Sequence, residues 1–137
     1  MIFAWCLSAL ALLVGVGLGA RALIDPVWAA KFVRLKADDQ GGGQAEFRAT
    51  FGGVFLGLHL VALVFTLFYL MGGVYLIGVM ATGASAAIAA GWGGAAFGRA
   101  VAMWRDGADS KFNRLSIGVE IAMALAIAMP WLVWFLL

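Results

Sequence analysis

A chain of 137 residues that is 65% apolar and only 12% charged, with a mean hydropathy of +1.04, has too few charges to cover a soluble protein. Soluble domains are typically about 45–50% apolar and about 25% charged. A formal net charge of +2 is too small to indicate a nucleic-acid partner. The length allows one domain, so we predict a single integral membrane domain over residues 1–137, with the lipid bilayer as its main partner.

Four stretches of the chain are apolar enough to cross a membrane, which takes a helix of about 20 apolar residues. They cover residues 2–24, 48–70, 73–98 and 115–137. The first stretch lacks the basic start and the cleavage pattern of a signal peptide, so we interpret it as a retained span. Gly72 and Gly73 indicate a tight turn between the second and third spans. The predicted fold is an all-α bundle of four transmembrane helices.

A short amphipathic helix is predicted after the first span, over about residues 26–37. Asp25 is a suitable N-cap, and Pro26 suits the first helical position. The apolar residues of one face are Trp28, Phe32 and Leu35, and the basic residues around that face are Lys31, Arg34 and Lys36. The pattern favours a helix that lies at the membrane interface. The alternative is a cytoplasmic continuation of the first span.

The second span begins with an acid and a base, Glu46 and Arg48. Glu46 lies where the positive end of the helix dipole favours an acid. At about 100° per residue, one line along the helix carries Arg48, Gly52, Phe55, His59 and Thr66. Polar groups of membrane helices face the protein interior, so we expect this line to be the inner face. On another face, Gly53 and Gly57 form a GxxxG motif, which predicts close packing against a neighbouring helix.

The third span has a side of small residues and a side of larger ones. The small residues are Gly83, Ala87, Gly91, Gly94 and Gly98. On the opposite side, Ser85, Trp92 and Arg99 recur every seven residues. Because small residues let helix backbones approach closely, we expect the small side to pack against other helices and this helix to be the most enclosed.

The fourth span contains one acid, Glu120, which lies about 9 Å deeper than Arg114 at the rise of an α-helix. A carboxylate at that depth needs a partner or a proton. Arg48 is the preferred partner, and Arg99 is the rival. Two roles remain open for the predicted polar cluster of Arg48, His59, Arg99 and Glu120. It either locks the helices together at one end or forms a pocket for a headgroup, an ion or a proton.

The basic residues give the predicted orientation in the membrane. All nine Lys and Arg residues border the first and third loops, and none lies near the N-terminus, the second connection or the C-terminus. Cytoplasmic loops carry the excess of Lys and Arg. We therefore predict that the loops over residues 25–47 and 99–114 face the cytoplasm and that both termini lie on the non-cytoplasmic side.

The sequence shows no catalytic or cofactor signature. One His and one Cys, without clustered carboxylates, exclude an ordinary zinc or di-iron site built from this chain alone. There is no pair of His residues to hold haem. We therefore predict no catalytic residue, no metal and no cofactor.

Several segments together resemble a family of small bacterial four-helix membrane proteins known only as a domain of unknown function. The segments are EFRATFGGVFLGL, GRAVAMWRDGADS and GVEIAMALA, in that order along the chain. Phe51 departs mildly from the family, which often has Tyr there. The resemblance implies a four-helix bundle in the bacterial inner membrane. It implies no activity and no catalytic residue.

Three classes of function are compatible with these features. The first, which we favour, is a non-catalytic accessory or scaffold subunit that packs against a larger membrane complex. The second is a small transporter, channel or lipid-binding protein that uses the intramembrane Glu, Arg and His residues and assembles as a homo-oligomer. The third is a membrane enzyme, for which the sequence offers no nucleophile and no metal site.

The orientation can be tested by labelling from outside intact cells, with single cysteines at Gly41, Gly73 and Gly107. We expect labelling at position 73 and protection at positions 41 and 107, because the two charged loops are predicted to be cytoplasmic. Labelling at positions 41 or 107 without labelling at 73 would reverse the assignment.

Overall fold

The computed structural model describes residues 1–36 and 40–136, and these residues form five helices and no strand. The helices are α1 (Ile2–Ile24), α2 (Pro26–Val33), α3 (Gly42–Leu70), α4 (Tyr75–Arg105) and α5 (Lys111–Leu136). All except α2 are long enough and apolar enough to cross a membrane. The all-helical fold with four such helices is therefore confirmed. Residue 37, the predicted end of the interfacial helix, lies outside the described residues.

The described chain divides into two compact units. One, which we call the hairpin unit, contains Met1–Ala11 and the chain from Phe65 onward, and therefore holds α4 and α5. The other, which we call the central unit, is Leu12–Val64 and holds α2 with most of α1 and α3.

In the central unit, α2 begins as the sequence predicts. The Asp25 carboxylate accepts a hydrogen bond from the Trp28 backbone N–H at 2.9 Å, and Pro26 occupies the first turn. Pro26 and Ala29 are buried, and Ala29 joins Ala22 and Phe47 in a small apolar cluster. The helix ends at Val33, earlier than predicted, because Arg34 adopts a left-handed conformation that stops it.

Helix α3 is not regular throughout. Residues Gly42–Glu46 are α-helical, Phe47–Val54 form a π-helix, and Phe55–Leu70 are α-helical again. The predicted inner line is largely confirmed, because Gly52, His59 and Thr66 are buried. The helix begins at Gly42, so Glu46 lies beyond its first turn, where its carboxylate accepts a hydrogen bond from the Thr50 hydroxyl.

Three glycines of the central unit stand where another backbone or ring leaves no room for a side chain. A Cβ atom on Gly19 would lie 2.7 Å from the backbone nitrogen of Leu56, and one on Gly52 would lie 2.8 Å from the Cα atom of Leu23. A Cβ atom on Gly15 would lie 2.0 Å from the His59 ring. Helices α1 and α3 therefore pack backbone to backbone in this unit, as small residues allow.

The glycines predicted from sequence to pack helices together do not do so within the described chain. A Cβ atom would meet nothing within 4 Å at Gly57, Gly83, Gly91, Gly94 and Gly98. Gly53 is exposed and would meet only the Arg48 carbonyl of its own helix, at 3.6 Å. The close helix contacts of the central unit use Gly15, Gly19 and Gly52 instead. Helix packing at the six predicted glycines stays a prediction.

The prediction that the third span is the most enclosed helix is wrong. In the most apolar 18-residue window, 44% of α1 is buried but only 28% of α4. The small side of α4 is exposed at Gly83, Gly91 and Gly94, whereas Ser85 on the opposite side is fully buried. The inward side of α4 carries Arg99, which bonds Glu120, together with the buried residues Ala81, Ser85, Ala89 and Ala96.

Two short connections set the geometry of the hairpin unit. After α3, Gly72 has a φ of +97°, and the N–H groups of Gly72 and Gly73 donate to the carbonyls of Tyr69 and Phe68 at 3.1 and 3.0 Å. This is a Schellman ending, which glycine favours. The predicted turn between the second and third spans is confirmed.

Between α4 and α5 only residues 106–110 are non-helical, so Arg99 lies within α4 rather than in a loop.

Helix α5 contains Pro130, which cannot donate a backbone hydrogen bond. Three residues earlier, the Ile127 carbonyl accepts a hydrogen bond at 2.9 Å from the Ser8 hydroxyl of α1. Ser8 and Ile127 are both fully buried. This bond ties the start of α1 to α5 within the hairpin unit.

The close glycine contacts can be tested with two substitutions in the same helix, α3. We expect Gly52→Ala to lower the free energy of unfolding by about 1–3 kcal/mol, because the new methyl group must displace the backbone of α1. Gly57→Ala adds the same methyl group on α3 but into open space, and it should be neutral or stabilising by up to about 1 kcal/mol through helix propensity. Unfolding of the full chain in detergent measures both variants. Equal unfolding midpoints would contradict the backbone contact.

Candidate functional site

The most buried charge of the described chain is the Glu120 carboxylate on α5. Glu120 is only 7% exposed. Arg99 of α4 holds it from one side: Nε lies 3.2 Å from each carboxylate oxygen, and Nη2 lies 2.7 Å from Oε1. Two nitrogens of one guanidinium therefore donate to the same carboxylate, which is the strong, orientation-specific form of an Arg–carboxylate pair. The predicted need for a partner is met by Arg99, the rival candidate.

Asn113 extends this pair to the loop between the helices. Arg99 Nη1 donates to Asn113 Oδ1 at 3.3 Å, and Asn113 Nδ2 donates to the Ala108 carbonyl at 2.6 Å. The backbone N–H of Asn113 donates to the Ser110 hydroxyl at 3.2 Å, so Ser110 is the N-cap of α5. One connected network therefore joins α4, the loop and α5.

Asn113 belongs to none of the patterns from which the polar cluster was predicted. It precedes Glu120 by seven residues, which places both on the same face of an α-helix. The same seven-residue spacing relates Ser85, Trp92 and Arg99 on α4. Matching these two polar faces to each other would have identified both Arg99 and Asn113 as partners of Glu120.

The prediction that Arg48 meets Glu120 is wrong. Arg48 Nη1 donates to the backbone carbonyls of Leu23 and Ile24, the latter at 3.3 Å. These are the last carbonyls of α1, which have no partner within their own helix. Arg48 thus caps α1, where the negative end of the helix dipole favours a cation.

His59 has a packing environment in the central unit. It is 3% exposed, its Nδ1 atom lies 2.8 Å from the Phe55 carbonyl, and its ring lies 4.1 Å from the Phe55 ring centroid. The ring also fills the space beside Gly15. Arg48 and His59 therefore belong to the central unit, and Arg99 and Glu120 belong to the hairpin unit. The four residues of the predicted cluster are divided between the units, each with contacts in its own.

A second ion pair flanks the network at the surface. Arg114 donates to Asp109 at 2.7 and 2.5 Å, and both side chains are largely exposed. The hydrogen bonds from Arg114 lower the pKa of the Asp109 carboxyl. A pair in this setting contributes little to stability, so it serves as an internal comparison for the buried pair.

The chemistry of the Arg99–Glu120 network is that of a satisfied ion pair. Both carboxylate oxygens accept from Arg99, and the guanidinium also reaches Asn113. Within residues 1–36 and 40–136, no group of three or more His, Cys, Asp and Glu side chains could hold a metal ion. Ser85, on the same side of α4, is buried, and its hydroxyl has no hydrogen-bond partner among the described residues.

Comparison with protein-family models, with curated proteins and with solved structures finds no match for this chain. The resemblance to the bacterial four-helix family therefore stays a prediction.

The buried pair generates a test based on removing one partner at a time. We expect Arg99→Ala to lower the free energy of unfolding by about 2–3 kcal/mol, because it leaves the Glu120 carboxylate buried without a cation. This is less than the effect for a fully buried pair, since the Arg99 side chain is 32% exposed. Glu120→Gln keeps a neutral acceptor and should cost about 1 kcal/mol.

Arg114→Ala is the matched control, because it removes an arginine from a fully exposed pair and should leave the free energy of unfolding nearly unchanged. Unfolding of the full chain in detergent gives all three values. If Arg99→Ala and Arg114→Ala change the free energy of unfolding equally, the buried pair does not hold α4 against α5.

Proposed function

We propose that this chain is a small, non-catalytic membrane protein that acts as an accessory or scaffold subunit of a larger membrane complex. The single observation that carries the proposal is the exposed small side of α4. Gly83, Gly91 and Gly94 are exposed, and a side chain added there would meet nothing within 4 Å. A glycine-rich helix surface facing lipid makes few van der Waals contacts. The same surface lets a partner helix approach its backbone closely.

The rigidity of the hairpin supports this role. The network of Arg99, Asn113 and Glu120 fixes α4 against α5 from the polar side. The opposite, small side of α4 is then presented in one orientation. A preorganised surface binds with a smaller loss of conformational entropy.

The proposed setting is the bacterial inner membrane. The chain would cross it four times as a helix bundle, with the two basic loops in the cytoplasm and both termini outside. The distribution of Lys and Arg along the sequence supports this orientation.

A transport role for Glu120 has less support. A carboxylate that carries protons or ions must exchange partners, whereas Glu120 is held by two nitrogens of Arg99. We therefore place the accessory role first and the transporter or channel second.

The accessory role can be tested by purification from native membranes. We expect the wild-type chain to co-purify with a stoichiometric larger membrane protein, and Gly91→Leu or Gly94→Leu to reduce that partner at least tenfold, equivalent to about 1.4 kcal/mol. The reason is that a leucine side chain holds the partner helix away from the α4 backbone. The isolated chain should not be destabilised, because both positions are open and leucine has the higher helix propensity.

Gly118→Leu is the matched control, since Gly118 is exposed on α5 and also has open space around it. It should leave the partner bound. A wild-type chain that purifies alone, or a partner retained by both α4 variants, would contradict the proposal. A homo-oligomer without a larger partner would favour the second class of function.

A further inference from the structure

Exposed aromatic side chains stand at both ends of α4. Three aromatic residues of this helix are more than half exposed: Tyr75 at 70%, Phe97 at 72% and Trp104 at 81%. Tyr75 is the first residue of the helix, and Trp104 is the last but one. Phe97, which has no polar atom in its side chain, lies between them. The two ends are therefore occupied by rings that also carry a hydroxyl or an indole N–H.

The distance between these ends matches a whole bilayer. Tyr75 and Trp104 belong to one continuous α-helix and lie about 43 Å apart along its axis at the rise of an α-helix. The hydrocarbon core of a bilayer is about 30 Å thick, and the two headgroup layers bring the total to about 40–45 Å. Residues 75–98 contain no charge, and Arg99 is the first charged residue after them. The uncharged part of α4 can thus cross the hydrocarbon core, and the whole helix reaches from one headgroup layer to the other.

Each end has a second feature that is typical of the headgroup level. At the first end, the Trp134 ring of α5 lies 6.0 Å from the Tyr75 ring, and Trp134 is also more than half exposed. At the second end, the Arg105 guanidinium lies 5.8 Å from the centre of the Trp104 ring. An arginine beside a tryptophan suits a layer with acyl chains on one side and lipid phosphates on the other. All four residues belong to the hairpin unit.

We propose that the hairpin unit is anchored in both headgroup layers of a lipid bilayer. Tyr75 and Trp134 lie in one layer, and Trp104 and Arg105 lie in the other. The exposed Trp104 side chain therefore contacts lipid and not a protein partner. The inference rests on the membrane setting proposed above, but it does not rest on the accessory role.

This placement gives the Arg99–Glu120 pair a depth. The backbone of Arg99 lies about 8 Å further into the membrane than that of Trp104 at the rise of an α-helix. That level is the edge of the hydrocarbon core, since each headgroup layer is about 5–8 Å thick. Arg99 can therefore be partly exposed without placing an unpaired charge at the centre of the bilayer, where it would be costly.

Fluorescence quenching in vesicles tests the proposal. The purified full chain is reconstituted in phosphatidylcholine vesicles whose acyl chains are brominated either near the headgroup or near the methyl end. The signal of Trp104 is the difference between the wild-type chain and Trp104→Phe. We expect bromines near the headgroup to quench this signal about twofold more strongly than bromines near the methyl end, because indole rings favour the headgroup level.

A matched control moves the indole along the same side of α4. Phe97→Trp in the Trp104→Phe background places it two turns, or about 10 Å, deeper, at a position that is also largely exposed. Its signal is the difference from Trp104→Phe alone. The ratio of methyl-end quenching to headgroup-end quenching should be about twofold higher than for Trp104, because position 97 is expected to lie among the acyl chains. Both substitutions exchange one exposed aromatic residue for another, so the fold should be kept.

Iodide, a quencher confined to water, provides the third measurement. A Trp104 signal that iodide quenches and neither brominated lipid quenches would overturn the proposal, because the indole would then lie in water and be open to a protein partner. Equal quenching ratios at positions 97 and 104 would also overturn it, since α4 would then not cross the bilayer at this depth. Neither result bears on whether a larger membrane protein co-purifies with the chain, which tests the accessory role separately.

Discussion

The contact between Arg99 and Glu120 is the interaction on which the hairpin unit depends. An ionised carboxylate within a largely apolar helix is costly unless a cation and hydrogen bonds accompany it. Glu120 can be satisfied only if the polar side of α4 is turned toward α5, and that rotation also brings Arg99 within reach of Asn113. Asn113 in turn bonds the Ala108 carbonyl and the Ser110 hydroxyl, so the short loop is held by the same network. One buried acid thereby sets the rotation of α4 and the geometry of the loop.

The central unit solves a different problem, which is the end of a candidate membrane helix. The last carbonyls of α1 have no partner in their own helix. Arg48 supplies a donor to the carbonyls of Leu23 and Ile24. Gly52, one turn later, lets α3 approach the backbone of Leu23 closely enough for this contact. The acid, the base and the glycine pair at the start of α3 thus have separate local roles, and Glu46 bonds Thr50 of its own helix.

The sequence predicted the positions of the helices well, but it did not predict which helices contact each other. The bounds of α1 agree with the prediction, because an apolar run that contains one charge, Arg21, ends at Asp25 and Pro26. The inner side of α3 was also predictable, since polar residues in an apolar helix point inward. A helical wheel gives the direction of Arg48 but not the identity of its neighbour, so its partner was assigned incorrectly. The glycine patterns of α3 and α4 did not identify the close contacts within the chain, for a related reason. Small residues also recur along α1 at Ser8, Gly15, Gly19 and Ala22, and these are the buried ones.

The competition between the two sides of α4 explains why its glycines remain outside. A small side and a polar side both favour helix contacts, but with different strength. Leaving the Glu120 carboxylate without its cation costs about 2–3 kcal/mol for this partly exposed pair. An uncovered glycine leaves no charge unpaired and forfeits only its van der Waals contacts. The polar side therefore takes the contact with α5. A second helix from another protein can recover the contacts that the glycines forgo, and it needs no polar group to do so. The outward position of Gly83, Gly91 and Gly94 is thus a consequence of the ion pair on the far side of the same helix.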